Sequence, residues 1–86
     1  LRAALEARRR VLGEDHPDTA VSYSGFGTVV SDQGRYAEAE AYYQKALDIR
    51  RKVRGEDHPD TARSYNNLAH NLDTRGREAE AEPLFR

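Results

Sequence analysis

An eight-residue stretch, Gly13-Glu14-Asp15-His16-Pro17-Asp18-Thr19-Ala20, occurs twice in this chain, returning as Gly55 to Ala62, 42 positions later. The match extends past the octet. Ala4-Leu5 recurs as Ala46-Leu47, Arg8-Arg9 as Arg50-Arg51 and Val11 as Val53. Downstream, Ser22-Tyr23 recurs as Ser64-Tyr65, Gly34-Arg35 as Gly76-Arg77 and Ala37-Glu38-Ala39-Glu40 as Ala79 to Glu82. About half of the aligned positions agree. A fixed period of this size marks an array in which one supersecondary unit repeats and each unit buries its apolar side against its neighbours. The choice of fold therefore narrows to repeat architectures.

Composition decides whether such an array is ordered. Leu, Ile, Val and Phe make up under a fifth of the 86 residues, a level at which disorder becomes a fair expectation. The net charge of -1 gives little self-repulsion, however, and Ala with five Tyr supplies the missing bulk at regular spacing. A folded single domain is expected. With 14 Lys+Arg against 15 Asp+Glu, nothing points to nucleic acid or an anionic membrane as partner. No apolar run approaches the roughly 20 residues that span a bilayer. The absence of Cys removes disulfides, thiolate nucleophiles and cysteine zinc sites, and suits a reducing, cytoplasmic setting.

The periodicity predicts helices throughout. Residues 1–12 read as the second helix of a preceding unit, with Gly13 past its end as a C-cap. Residues 14–55 form a full unit and 56–86 a shortened second one, so the chain reads as an excerpt of a longer array. In the full unit Pro17 suits the first turn of a helix. Asp15 or His16 would be its N-cap, and Asp15 with Asp18 forms an acidic capping box. Ala20, Tyr23, Phe26, Gly27 and Val30 fall on one face, and Gly25 and Gly27 weaken the helix by about 1 kcal/mol each. Gly34-Arg35 is the turn. The next helix, about Tyr36 to Val53, carries Ala39, Tyr43, Ala46 and Leu47, with Tyr42, Ile49 and Val53 alongside. The second unit opens near Pro59, presents Ala62, Tyr65, Leu68, Ala69 and Leu72, turns at Gly76 and enters a helix with Ala79, Ala81, Leu84 and Phe85. Pro83 sits within that helix, where Ala41 stands in the first unit.

The sequence Tyr23, Phe26, Gly27, Val30, Gly34, Tyr36, Ala39, Tyr43, Ala46 resembles the tetratricopeptide repeat signature, and Tyr65, Leu68, Ala69, Leu72, Gly76, Ala81 and Phe85 repeat it, with Glu78 in place of the usual aromatic. The 42-residue length and the Gly-Glu-Asp-His-Pro-Asp-Thr-Ala junction are similar to the kinesin light chain subgroup. The resemblance implies an all-α fold in which tandem helix-turn-helix repeats form a right-handed solenoid, with the first helix of each pair lining a concave groove. By position, the groove would be lined by Val21, Ser24, Gly25, Thr28, Ser31 and Asp32 in one unit and by Arg63, Asn66, Asn67, His70, Asp73 and Thr74 in the next. In the kinesin light chain group paired asparagines at this place hold the backbone of an extended peptide. Asn66-Asn67 matches; Ser24-Gly25 does not. An amide both donates and accepts, which suits it to that task.

Other chemistries have weaker support. Asp15, His16 and Asp18, with their copies Asp57, His58 and Asp60, carry metal-ligand residue types, but recurrence at each junction reads as helix capping. His70 has no nucleophile or orienting acid at a recognisable spacing. The runs Arg8-Arg9-Arg10 and Arg50-Arg51-Lys52 read as solvated faces that complement helix C-termini. The tyrosines, in register with Ala, read as core rather than as a stacking platform for RNA.

The function expected is therefore a non-catalytic protein-interaction module. It needs no cofactor or metal, and its groove residues are Arg63, Asn66, Asn67, His70, Asp73, Thr74, Ser24 and Thr28. The alternative is a rigid spacer or a self-associating array within a larger bacterial signalling protein. Leu5, Leu84 and Phe85, exposed at the ends, would drive self-association.

Overall fold

The structure, a computed structural model, describes residues 15–81, with side chains as far as Arg77. It contains α1 (Pro17–Asp32), α2 (Tyr36–Arg54) and α3 (Pro59–Ala81), and the described residues include no strand. The duplicated octet gives duplicated geometry. His16 Nδ1 accepts the Asp18 amide at 3.1 Å, and His58 Nδ1 accepts the Asp60 amide at 3.0 Å. Each proline then supplies a first-turn residue whose missing N–H costs nothing. The N-cap is thus His16, and the expected acidic box does not form. Asp15 instead accepts from Lys52 Nζ at 2.6 Å, tying the junction before α1 to the last turn of α2.

α1 ends at Gly34, whose φ of 80° is a left-handed value that glycine adopts without penalty. The Gly34 amide bonds Ser31 O at 2.9 Å and the Arg35 amide bonds Val30 O at 3.0 Å. Together these close the helix in a Schellman motif. The chain reverses, and α2 packs back on α1 through two clusters. Ala20, Tyr23, Ala46 and Ile49 form one; Val30, Ala39 and Tyr43 form the other. Phe26 meets Tyr42 edge-on, their centroids 4.3 Å apart. The expected inner faces hold, except that Val53 is exposed. Gly27 has a packing role beyond its propensity: a Cβ there would lie 2.9 Å from Tyr43 Cε1.

α2 is the middle element, packed by both α1 and α3, which scarcely touch each other. The least extent is 13 Å, about one helix diameter, so the helices form a single layer.

α3 departs from expectation in two ways. Its inward side is polar: Thr61, Ser64 and Asn71 are buried, while Ala62, Tyr65, Ala69 and Leu72 are exposed and Leu68 is half-buried. In the first unit Ala20, Tyr23, Gly27 and Val30, the counterparts of the exposed four, are covered by α2. Secondly, no turn forms at Gly76, and the helix runs unbroken to Ala81. The Gly34 turn is braced by Asn71, which accepts from Ser31 Oγ at 2.8 Å and donates to Tyr36 O at 3.0 Å. Gly76 has nothing within 4 Å of where a Cβ would stand, and the strong helix formers Glu78-Ala79-Glu80-Ala81 follow it. Local propensity therefore wins.

The expected helix over residues 1–12, the Gly13 cap, the Arg8-Arg9-Arg10 run, Leu5, Pro83, Leu84 and Phe85 lie outside the described residues, as do the side chains of Ala79 and Ala81.

Candidate functional site, a groove across the three helices

Because α2 lies between α1 and α3, the outer helices form two walls and α2 the floor. Thr28, Ser31 and Asp32 come from α1, Tyr36 and Tyr43 from α2, and Asn67, His70 and Thr74 from α3; together they line a groove of ≈ 400 Å³. The floor is set from within. Tyr43 is held under Gly27, and its hydroxyl lies 2.9 Å from Thr28 Oγ1. Thr28 also donates to Ser24 O at 3.1 Å, and Thr74 to His70 O at 2.9 Å. The side chains of Asn67 and His70 make no hydrogen bond to another described residue. Their donors and acceptors are therefore available to a ligand.

Of the residues expected by position, the structure brings Thr28, Asn67, His70 and Thr74 to this groove together with Ser31 and Asp32. Arg63 and Asn66 are exposed beyond its lining, as are Val21 and Gly25. Asp73 pairs with Arg77 at 2.7 Å. Ser24 is half-buried and accepts from Arg50.

Arg50 overturns the reading of its basic run as a solvated face, for it is only 4% exposed. Its Nη1 donates to Ser64 Oγ at 2.8 Å and, more weakly, to Ser24 Oγ at 3.4 Å, joining all three helices. No carboxylate among the described residues lies within ion-pair distance of it. Burial is the main cause that lowers its pKa, Asp60 counters this, and Arg63 adds to it. The cation remains charged, as a guanidinium does at any physiological pH. Sequence reasoning missed Arg50 and Asn71. The signal for Arg50 was its place beside Ala46, Leu47 and Ile49 on a buried stripe; for Asn71 no signal stood out.

Arg51 and Lys52 behave as expected of exposed cations. Hydrogen bonds to Glu56 and Asp15 respectively raise their pKa values, and the Glu56 bond also raises that of Tyr65. Among the described residues no three of His, Cys, Asp and Glu gather as metal ligands, and no helix is long and apolar enough to cross a membrane.

No curated protein matches the chain. The tetratricopeptide repeat profile matches residues 1–52 and, in a second placement, residues 25–86. Repeats of this kind generally mediate protein–protein interaction and are typically non-catalytic. With the helical hairpin, the duplicated junction and the groove already described, these two matches account for the full length: the chain belongs to the tetratricopeptide repeat family.

Proposed function

We propose that the chain is a peptide-binding module of the kinesin light chain-like branch, holding an extended segment of a partner protein in the groove between α1 and α3. The observation that carries this reading is the pair Asn67 and His70, unengaged and facing the same ≈ 400 Å³ groove as Thr28 and Thr74. The Asn67 amide bonds the peptide backbone, which makes the grip tolerant of sequence, while His70 and the tyrosine floor read side chains. Asp32 is the one acid among the described lining residues, so the groove itself carries no cationic excess.

The test is enrichment of a random peptide display library on the wild-type chain and on Asn67→Ala with His70→Ala. The wild type should enrich extended peptides, and the double variant should lose them by at least about tenfold, the equivalent of 1.4 kcal/mol. Equal enrichment on both would move the site elsewhere. Failure of both to enrich any peptide would favour the spacer reading.

A further inference from the structure

We propose that the end of α3 beyond Gly76 is an exchange arm, which packs onto the exposed stripe of α3 in a second copy of this chain to give a reciprocal, domain-swapped pair. The occupant of that stripe is indicated by the chain's own duplication. In the first unit Ala20, Tyr23, Gly27 and Val30 are covered by the helix that begins Tyr36-Ala37-Glu38-Ala39. In the second unit the corresponding Ala62, Tyr65, Ala69 and Leu72 are open, Tyr65 by 42% and Leu72 by 47%. The residues that cover Gly27 and Val30 there, Ala39 and Tyr43, recur as Ala81 and Phe85, so the arm covers the part of the stripe made by Ala69 and Leu72.

That segment cannot fold back on its own stripe, because the backbone is helical through Gly76. Nine residues of helix separate Leu72 from Ala81 by roughly 13.5 Å along the axis. The same straightness presents the arm to another molecule, whose stripe has the same need. Exchange of an identical element requires no new complementarity, since the contacts are those the sequence already encodes for a hairpin. The stripe is a different side of α3 from Asn67, His70 and Thr74, so the pair leaves the groove free.

The absence of cysteine allows a direct test. Val30 and Ala39 share one cluster across α1 and α2, so positions 72 and 81 should meet across the pair. Equimolar Leu72→Cys and Ala81→Cys single variants of the 86-residue chain are mixed and oxidised. The expected product is the mixed covalent dimer, at least about fivefold over either like-with-like dimer. A statistical mixture of the three dimers, or no covalent dimer, overturns the proposal. The double variant provides the converse arm. In one straight helix its two thiols lie beyond the roughly 7 Å Cα reach of a disulfide, so internal closure to a bridged monomer would also overturn it. Light scattering on the unmodified chain should give a dimer mass that Arg77→Pro, which disfavours helix at Gly76, shifts to monomer. A monomer mass for the unmodified chain at hundreds of micromolar would contradict the pair independently of any variant's folding.

Discussion

Gly25 and Gly27 stand two positions apart on α1, and only one of them is replaceable. A methyl at Gly25 would meet nothing within 4 Å, whereas one at Gly27 would press on the Tyr43 ring at 2.9 to 3.3 Å. That ring is 6% exposed and bonded through its hydroxyl to Thr28, so it has little room to yield. We expect Gly25→Ala to stabilise the chain by about 0.5–1 kcal/mol through helix propensity. Gly27→Ala should instead destabilise it by about 1–2 kcal/mol, since overpacking outweighs the same propensity gain. Urea unfolding of the two variants checks this, and shifts of the same sign would refute it. From the sequence the two residues looked alike, as equal weak points in a helix. Propensity is a local property, and the atom that separates them arrives 16 positions later. The same limit hid Arg50, whose chemistry is that of Arg51 and Lys52 beside it. Only the 100° step of the helix turns it inward.

At the scale of elements, the helix starts were legible because capping is written in contiguous residues. A His-Pro-Asp-Thr junction acts the same way wherever it occurs, and it does so here at both α1 and α3. The inward side of α3 was not legible. Its apolar stripe of Ala62, Tyr65, Ala69 and Leu72 is exposed, while the seam with α2 is made largely by Thr61, Ser64 and Asn71 and by Arg50 from the other side, with Leu68 beside them. Hydrophobic periodicity has no means of finding such a seam. Asn71 carries much of it, bonding both Ser31 and the Tyr36 carbonyl. Asn71→Ala should therefore destabilise the chain by about 1–3 kcal/mol, the cost of leaving buried partners unpaired. It should also speed amide exchange around the Gly34 turn, 37 positions away in sequence (71 − 34); unchanged exchange at Ser31 to Tyr36 would show that the turn needs no brace. The groove was legible in part for a related reason. Position along α3 pointed to six residues, of which Asn67, His70 and Thr74 line the cavity and Arg63, Asn66 and Asp73 do not, and the floor of Tyr36 and Tyr43 depends on how α2 lies beneath the walls.

For the whole molecule, a layer 13 Å thick leaves both broad faces of every helix near solvent. Such a chain has no central core to fall back on, and its stability is a sum over two seams. If copies pair as proposed, the apparent melting temperature rises with protein concentration, because association favours the folded state by mass action. Scanning calorimetry over a hundredfold range in concentration would show the rise, and a constant midpoint would argue against pairing.

The two seams also differ in how they respond to temperature. Parting α1 from α2 wets Ala20, Tyr23, Val30 and Ala39, and apolar hydration raises heat capacity. Parting α3 from α2 wets hydroxyls, an amide and a guanidinium, whose hydration lowers it and offsets the apolar contribution of Leu68, which packs on the Val30 cluster. The attachment of α3 thus follows a flatter stability curve than the α1–α2 hairpin. Cooling weakens the hairpin's apolar contribution more than that of this mixed seam, so near freezing the joint between the repeats becomes the relatively stronger of the two.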